Sequence, residues 1–150
     1  MAGSGGAVGV RPADVGTFDE TGLAAWGEAF AHSLALPAVV GLSGELGTGK
    51  TTLVRAIAAA LGVRQPVTSP TFALVHRYDG AGCTVYHVDG YRLRRPGEAA
   101  DLGFDDMARE KDAVILVEWP ERFGADLPPL THRIALSYVE DPTLRRLESA

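Results

Sequence analysis

The eight residues Gly44-Glu45-Leu46-Gly47-Thr48-Gly49-Lys50-Thr51 constrain this chain more than any other stretch. They match G-x-x-x-x-G-K-[ST], a spacing that phosphate chemistry explains. Glycines permit the tight turn that points successive backbone N–H groups inward as an anion-binding nest. Lys50 reaches the β- and γ-phosphates of a nucleotide as a compact charge, and the Thr51 hydroxyl suits Mg²⁺. A helix opening at the loop turns its positive dipole end toward the same phosphates. Glu45, Leu46, Gly47, Thr48, Gly49, Lys50, Thr51 and Thr52 are therefore the expected nucleotide-binding residues.

In a chain with 18 glycines a chance match has to be weighed, and the flanking residues argue against one. Val39-Val40-Gly41-Leu42 reads as a short buried strand entering the loop. Leu53, Val54, Ile57 and Leu61 follow at helical spacing, and Gly62 stands where a C-terminal cap belongs. Strand, loop and helix occur in the order phosphate binding requires.

The rest of the composition sets limits. At 150 residues the chain suits one domain, read as residues 13–150, behind a glycine-rich tail at 1–12 expected to lack order. A net charge of −5 argues against nucleic-acid binding by bulk charge, and no direct DNA binding is expected. The single Cys83 excludes an intrachain disulfide and is expected as a small, largely buried residue in a reducing compartment. No apolar run nears the ~18 residues of a membrane span, so the expected location is the cytoplasm, away from membranes.

Thr17-Phe18-Asp19-Glu20 resembles a capping box, Thr17 with Glu20, ahead of an amphipathic helix carrying Leu23, Trp26, Phe30 and Leu34 and ending before Pro37. Trp26 is expected in the core. Ser69-Pro70-Thr71 is a stiff hydroxyl-bearing segment, either an ordinary turn or a loop that senses the γ-phosphate. Ala73 to Tyr78 and Cys83 to Val88 predict a β-hairpin around Asp79-Gly80-Ala81-Gly82. Pro96 to Asp101 and Met107 to Lys111 suit short helices. Val114 to Val117 reads as a strand buried on both faces, and Ile134, Leu136 and Tyr138 as a half-exposed one. Leu144 to Glu148 suits a short last strand. The pattern predicts an α/β fold, a P-loop NTPase three-layer sandwich. A mixed, mostly parallel central sheet flanked by helices would carry one antiparallel hairpin.

A P-loop NTPase needs a carboxylate at the end of a neighbouring strand to hold Mg²⁺. Glu118 follows four aliphatic residues and is the favoured metal ligand with Thr51. Asp89 ends a strand that mixes polar and apolar residues and looks less central. It is assigned to the attacking water or to support of the metal shell, unless it merely caps the next turn. His87 is read as a hydrogen-bonded structural histidine, and His32, His76 and His132 lack metal-like spacing. Arg92, Arg94 and Arg95 form a basic patch, either solvated or a phosphate or partner contact. Trp119 is either core or a guard of the site.

Together these residues resemble the TsaE (formerly YjeE) family of small bacterial P-loop ATPases. The resemblance rests on Gly44 to Thr52, Ser69-Pro70-Thr71-Phe72, and Tyr86-His87-Val88-Asp89 with Tyr91-Arg92-Leu93. Glu98 with Leu102-Gly103, and Glu118-Trp119-Pro120-Glu121, complete it over about residues 17–148. Gly90 departs from it, standing where the family usually has leucine. The resemblance implies an ATPase, weak alone, that acts with TsaB and TsaD in threonylcarbamoyladenosine modification of tRNA and meets tRNA only through that complex. ATP and Mg²⁺ are the implied cofactors, Thr51 and Glu118 the metal ligands, and Asp89 a residue of hydrolysis. Ser69-Pro70-Thr71 would be a switch loop, with Thr71 grouped with Asp89 and Glu118 as catalytic.

Two other classes remain. A small-molecule P-loop kinase would need an acceptor pocket and an arginine-bearing lid, for which Arg92, Arg94 and Arg95 are the available residues. A nucleotide-gated binding module would show no useful turnover. A GTPase is disfavoured, because the chain has no [NT]-K-x-D motif, and its D-x-x-G matches, Asp19 to Gly22 and Asp79 to Gly82, fall at a helix start and a hairpin turn rather than at a switch.

Overall fold

The structure is a computed structural model that describes residues 14–69, 74–94 and 97–150. In chain order its elements are β1 (Val15–Phe18), α1 (Glu20–Ser33), β2 (Ala38–Ser43), α2 (Lys50–Ala60), β3 (Val75–Asp79) and β4 (Thr84–Asp89). A 3₁₀ turn (Glu98–Leu102), α3 (Phe104–Arg109), β5 (Ala113–Glu118), β6 (His132–Tyr138) and β7 (Arg145–Ser149) follow. Among the described residues no helix is long and apolar enough to cross a membrane.

The aliphatic run of β5 lies within the sheet, and all six of its residues are buried. It pairs in parallel with β2 on one side and β4 on the other. The seven-stranded sheet has the order β1-β7-β6-β2-β5-β4-β3. Strands β6, β2, β5 and β4 are parallel to one another, while β3, β7 and β1 add antiparallel edges. This is the expected mixed sheet, parallel through its centre, with its hairpin at β3–β4.

Successive strand residues face opposite sides of a sheet, and the two apolar cores follow that alternation. Val40, Leu42, Val85, Val114 and Leu116 pack with Leu23, Trp26 and Phe30 of α1 and Leu53, Val54 and Ile57 of α2. Val39, Tyr86, Val88, Ile115 and Val117 pack with Phe104 and Met107 of α3 and with Phe123. Trp26 is core, as expected, stacked on Phe30 at 5.1 Å between ring centroids.

Several local expectations are corrected. Thr17 and Phe18 belong to β1, paired with Arg146 and Arg145, so Thr17 does not cap α1. Asp19 does, its Oδ1 accepting from the Gly22 N–H at 2.7 Å. Strand β4 is interior and almost wholly buried, not marginal. Its polar side chains have tertiary partners: the Tyr86 hydroxyl donates to Glu110, and His87 meets Glu118. The helix expected from Met107 is α3, which starts earlier, behind Gly103 at φ 80°. Cys83 is buried beside Leu61. The tail at 1–12 lies outside the described residues.

Candidate nucleotide site

Parallel register brings the functional strand ends to one edge of the sheet. Leu42 of β2 and Asp89 of β4 are both Cα partners of Glu118, the last residue of β5. Ligand crevices of open α/β sheets form outside such carboxyl ends. From Ser43 the chain passes directly into the glycine-rich loop. Gly44 has φ +146°, and a Cβ there would stand 2.5 Å from the Leu136 carbonyl oxygen. Only glycine fits that position without moving backbone. Helix α2 begins at Lys50, and its N-cap, Gly49, offers no side-chain acceptor. The first-turn N–H groups are thus left for an external anion.

Lys50 is buried, and its Nζ donates to the carbonyls of Gly44 at 2.6 Å and Glu45 at 2.8 Å. The ammonium also stands 4.4 Å from the centroid of the Trp119 ring. Burial pushes the Lys50 pKa down, opposed by the carboxylates of Glu118, Asp89 and Glu121. Trp119 holds φ 58°, a left-handed conformation that costs a β-carbon-bearing residue about 1–3 kcal/mol. In that pose the indole packs against Tyr91 at 5.3 Å and roofs Lys50. Of the two readings open for Trp119, the side chain takes the one at the site.

Below the roof Thr51 Oγ1 lies 3.2 Å from Glu118 Oε1, 3.3 Å from Oε2 and 3.2 Å from Ser69 Oγ. Thr51 and Glu118, paired from the sequence as metal ligands, are thus side by side, in a set of hard oxygen donors. His87 Nε2 stands 2.6 Å from Glu118 Oε2. Asp89 Oδ1 accepts the Tyr91 N–H at 2.9 Å, so Asp89 does brace the following turn. It also lines the cleft, and burial raises its pKa despite that bond, with the Glu118 charge adding to the rise.

The cleft between Lys50, Thr51, Ser69, Asp89, Glu118 and Trp119 has a volume of about 510 Å³. A second cleft of about 510 Å³, lined by Asp19, Leu23, Thr143 and Arg145, shares Gly47, Gly49 and Thr52 with it. The glycine-rich loop therefore borders two adjoining recesses. Glu45 and Leu46 contribute backbone: Glu45 its carbonyl to Lys50, Leu46 its carbonyl to the Tyr138 hydroxyl at 2.5 Å. Leu46 itself is 63% exposed. Arg92 lines the first cleft, whereas Arg94 hydrogen-bonds through its backbone to Glu98. Thr71, Pro70 and Arg95 lie outside the described residues. No group of three or more His, Cys, Asp or Glu suited to a metal occurs among the described residues.

Sequence reasoning did not link His87 to Glu118 and did not single out Thr143 or Arg145. A signal for His87 existed. It stands two residues before Asp89 in a strand, hence on the same face. For Arg145 there was none, since its place beside the loop depends on the antiparallel return of β7 along β6 and β1.

The surroundings of Gly90 leave no room for a side chain. A Cβ there would lie 2.5 Å from Phe123 Cε2 and 2.9 Å from the Trp119 carbonyl oxygen. The Gly90 N–H donates to the Glu118 carbonyl at 2.9 Å. Phe123 fills the space a larger residue would take.

Comparison with known proteins gives the family and the fold. The family model for the threonylcarbamoyl adenosine biosynthesis protein TsaE matches residues 17–147. The tRNA threonylcarbamoyladenosine biosynthesis protein TsaE of Treponema pallidum is 37% identical over 118 residues, covering 79% of this chain and 86% of that protein. The protein of the same name from Haemophilus influenzae is 36% identical over 128 residues, covering 82% and 80%. That of Streptomyces coelicolor is 48% identical over 98 residues, covering 63% and 65%. The crystal structure of Bacillus subtilis YdiB superposes with a TM-score of 0.75 at 25% identity, covering 91% of this chain and 84% of that one. With a P-loop in the expected setting and a family match over most of its length, the chain belongs to the TsaE family of P-loop nucleotide-binding proteins.

Proposed function

We propose that this protein is a Mg²⁺-dependent ATPase, weak alone and activated by TsaB and TsaD, that serves threonylcarbamoyladenosine modification of tRNA in the cytoplasm. The observation that carries the reading is the meeting of Thr51 and Glu118 at the mouth of the P-loop, beside Asp89 and Lys50. Glu45 to Thr52 cradle the phosphates through backbone N–H groups and the Lys50 ammonium. Lys50 exchanges the carbonyls of Gly44 and Glu45 for phosphate oxygens, a stronger charge-assisted pairing. Thr51 and Glu118 would hold Mg²⁺. Their hard oxygens suit that ion, which would supply positive charge against the charge developing on the transferred phosphoryl group. Asp89 orients the attacking water or the metal's water shell. Thr71 belongs to the switch segment that begins at Ser69, whose hydroxyl already reaches Thr51. The second cleft, with Thr143 and Arg145, takes the base and ribose.

The relatives named for tRNA threonylcarbamoyladenosine biosynthesis support this assignment over a small-molecule kinase. The test is steady-state ATP hydrolysis by the chain alone, with TsaB and TsaD added singly, and with both. Turnover should rise with both partners present. Unchanged hydrolysis would end the activated-ATPase reading, and phosphate transfer to a small acceptor without partners would favour the kinase.

A further inference from the structure

We propose that His87 is a positioning residue for the nucleotide site: its Nε2–H holds the Glu118 carboxylate in the rotamer that meets Thr51. The proposal rests on the reading of Thr51 and Glu118 as the metal-binding pair. His87 is fully buried and Glu118 is 3% exposed, with 2.6 Å between Nε2 and Oε2. Their closeness is built into the sheet. His87 pairs with Leu116 and Asp89 with Glu118 in adjacent parallel strands, so all four side chains share one face.

Packing alone does not call for an imidazole here. Val85 and Val88 fill neighbouring positions of β4 with aliphatic groups, both fully buried. Burying a polar ring is unfavourable unless its polar atoms find partners, and the Glu118 contact supplies one. His87 Nδ1 has no hydrogen-bond partner among the described residues. A ring lone pair at Nε2 would oppose a carboxylate lone pair at 2.6 Å, so Nε2 carries a hydrogen and donates it to Glu118. One Glu118 oxygen is thereby tied to His87, while Thr51 Oγ1 lies within 3.3 Å of both. Free rotation of the carboxylate away from Thr51 is prevented.

Outer partners of this kind typically change metal affinity by about 10–100-fold when removed. The test uses the full chain, a non-hydrolysable ATP analogue and Mn²⁺ as a paramagnetic probe. The Mn²⁺ midpoint is read by electron paramagnetic resonance, and analogue affinity in chelator by calorimetry. His87→Leu removes the donor but keeps an apolar filling. His87→Gln restores an N–H at the same distance from the backbone. Glu118→Gln serves as the control for the metal reading. The expected result is a Mn²⁺ midpoint raised at least about tenfold in His87→Leu and within about threefold of wild type in His87→Gln. Chelator affinity should stay within about twofold in both. A wild-type midpoint in His87→Leu, beside a shifted one in Glu118→Gln, overturns the positioning role alone. Equal shifts in His87→Leu and His87→Gln, or parallel loss of chelator affinity in both, overturn it as well by marking His87 as a packing residue. A wild-type midpoint in Glu118→Gln overturns the metal reading and this role with it.

Discussion

Asp89 and Glu118 are Cα partners at the ends of adjacent parallel strands, β4 and β5. Two carboxylates thus stand together at the mouth of a phosphate loop, in unlike surroundings. Glu118 is nearly sealed and tied to His87 and Thr51, whereas Asp89 is only half-buried and braces a turn through Tyr91. The register makes them neighbours, and their partners set them apart.

Lys50→Ala should abolish most phosphate affinity. Each charge-assisted hydrogen bond lost is worth about 1.5–3 kcal/mol, so ATP binding should weaken at least about ten- to a hundredfold. Calorimetric titration checks this, and nanomolar binding by the variant would refute the P-loop assignment.

Glu118→Gln should separate chemistry from binding. The amide keeps the size and an acceptor for His87 but loses the charge. Mg²⁺-dependent turnover should fall by about 10²-fold or more, while nucleotide affinity in chelator changes less than about twofold. Equal losses in both assays would point to a folding defect instead.

Asp89 gives a pH dependence whose sign is fixed. Its folded pKa lies above the ordinary carboxylate value, chiefly through burial. The folded state therefore holds this proton more tightly than the unfolded chain does. Stability from the protonated form is present below the unfolded pKa and is lost as pH rises through the folded one. Asp89→Asn should accordingly raise Tm at neutral pH, with the gain shrinking as pH falls toward 4. A gain that grows on acidification would contradict the burial argument. The measurement is differential scanning calorimetry of nucleotide-free protein across that range.

Gly90→Leu should destabilise, because a Cβ at that position would already stand 2.5 Å from the Phe123 ring. The added carbons meet Phe123, and overpacking costs about 1–3 kcal/mol. In a chain of this length each kcal/mol lowers Tm by about 2–4 °C. Adding Phe123→Ala should relieve part of the clash, so the double variant should lose less stability than the two single losses added together. Simple additivity would show that the two residues do not compete for space.

Legibility in the sequence followed local chemistry. Strand β5 was readable because a strand buried on both faces must be aliphatic throughout, and Val114 to Val117 are. The P-loop and α2 were readable because backbone conformation and phosphate geometry dictate residue types at fixed spacing. Strand β4 was undervalued because Thr84, Tyr86 and His87 look like surface residues until their partners are known. Strand β1 was missed because its four residues pair only with β7, far along the chain, and show no run of their own. Thr17 was misassigned for the same reason.

By itself, the sequence determined that a phosphate-loop pattern stands at Gly44 to Thr51, that an α/β sheet presents this loop, and that Glu118 and Asp89 are the candidate carboxylates at neighbouring strand ends. Local spacing suffices for those, because loop turn, helix start and strand burial are short-range matters. Only the tertiary structure decided which groups touch. Parallel pairing of β2, β5 and β4 sets Glu118 against Thr51 and His87. A left-handed turn at residue 119 swings the indole over Lys50. Those contacts join residues 31 to 69 positions apart, and no local rule of spacing encodes a distance between side chains on different strands.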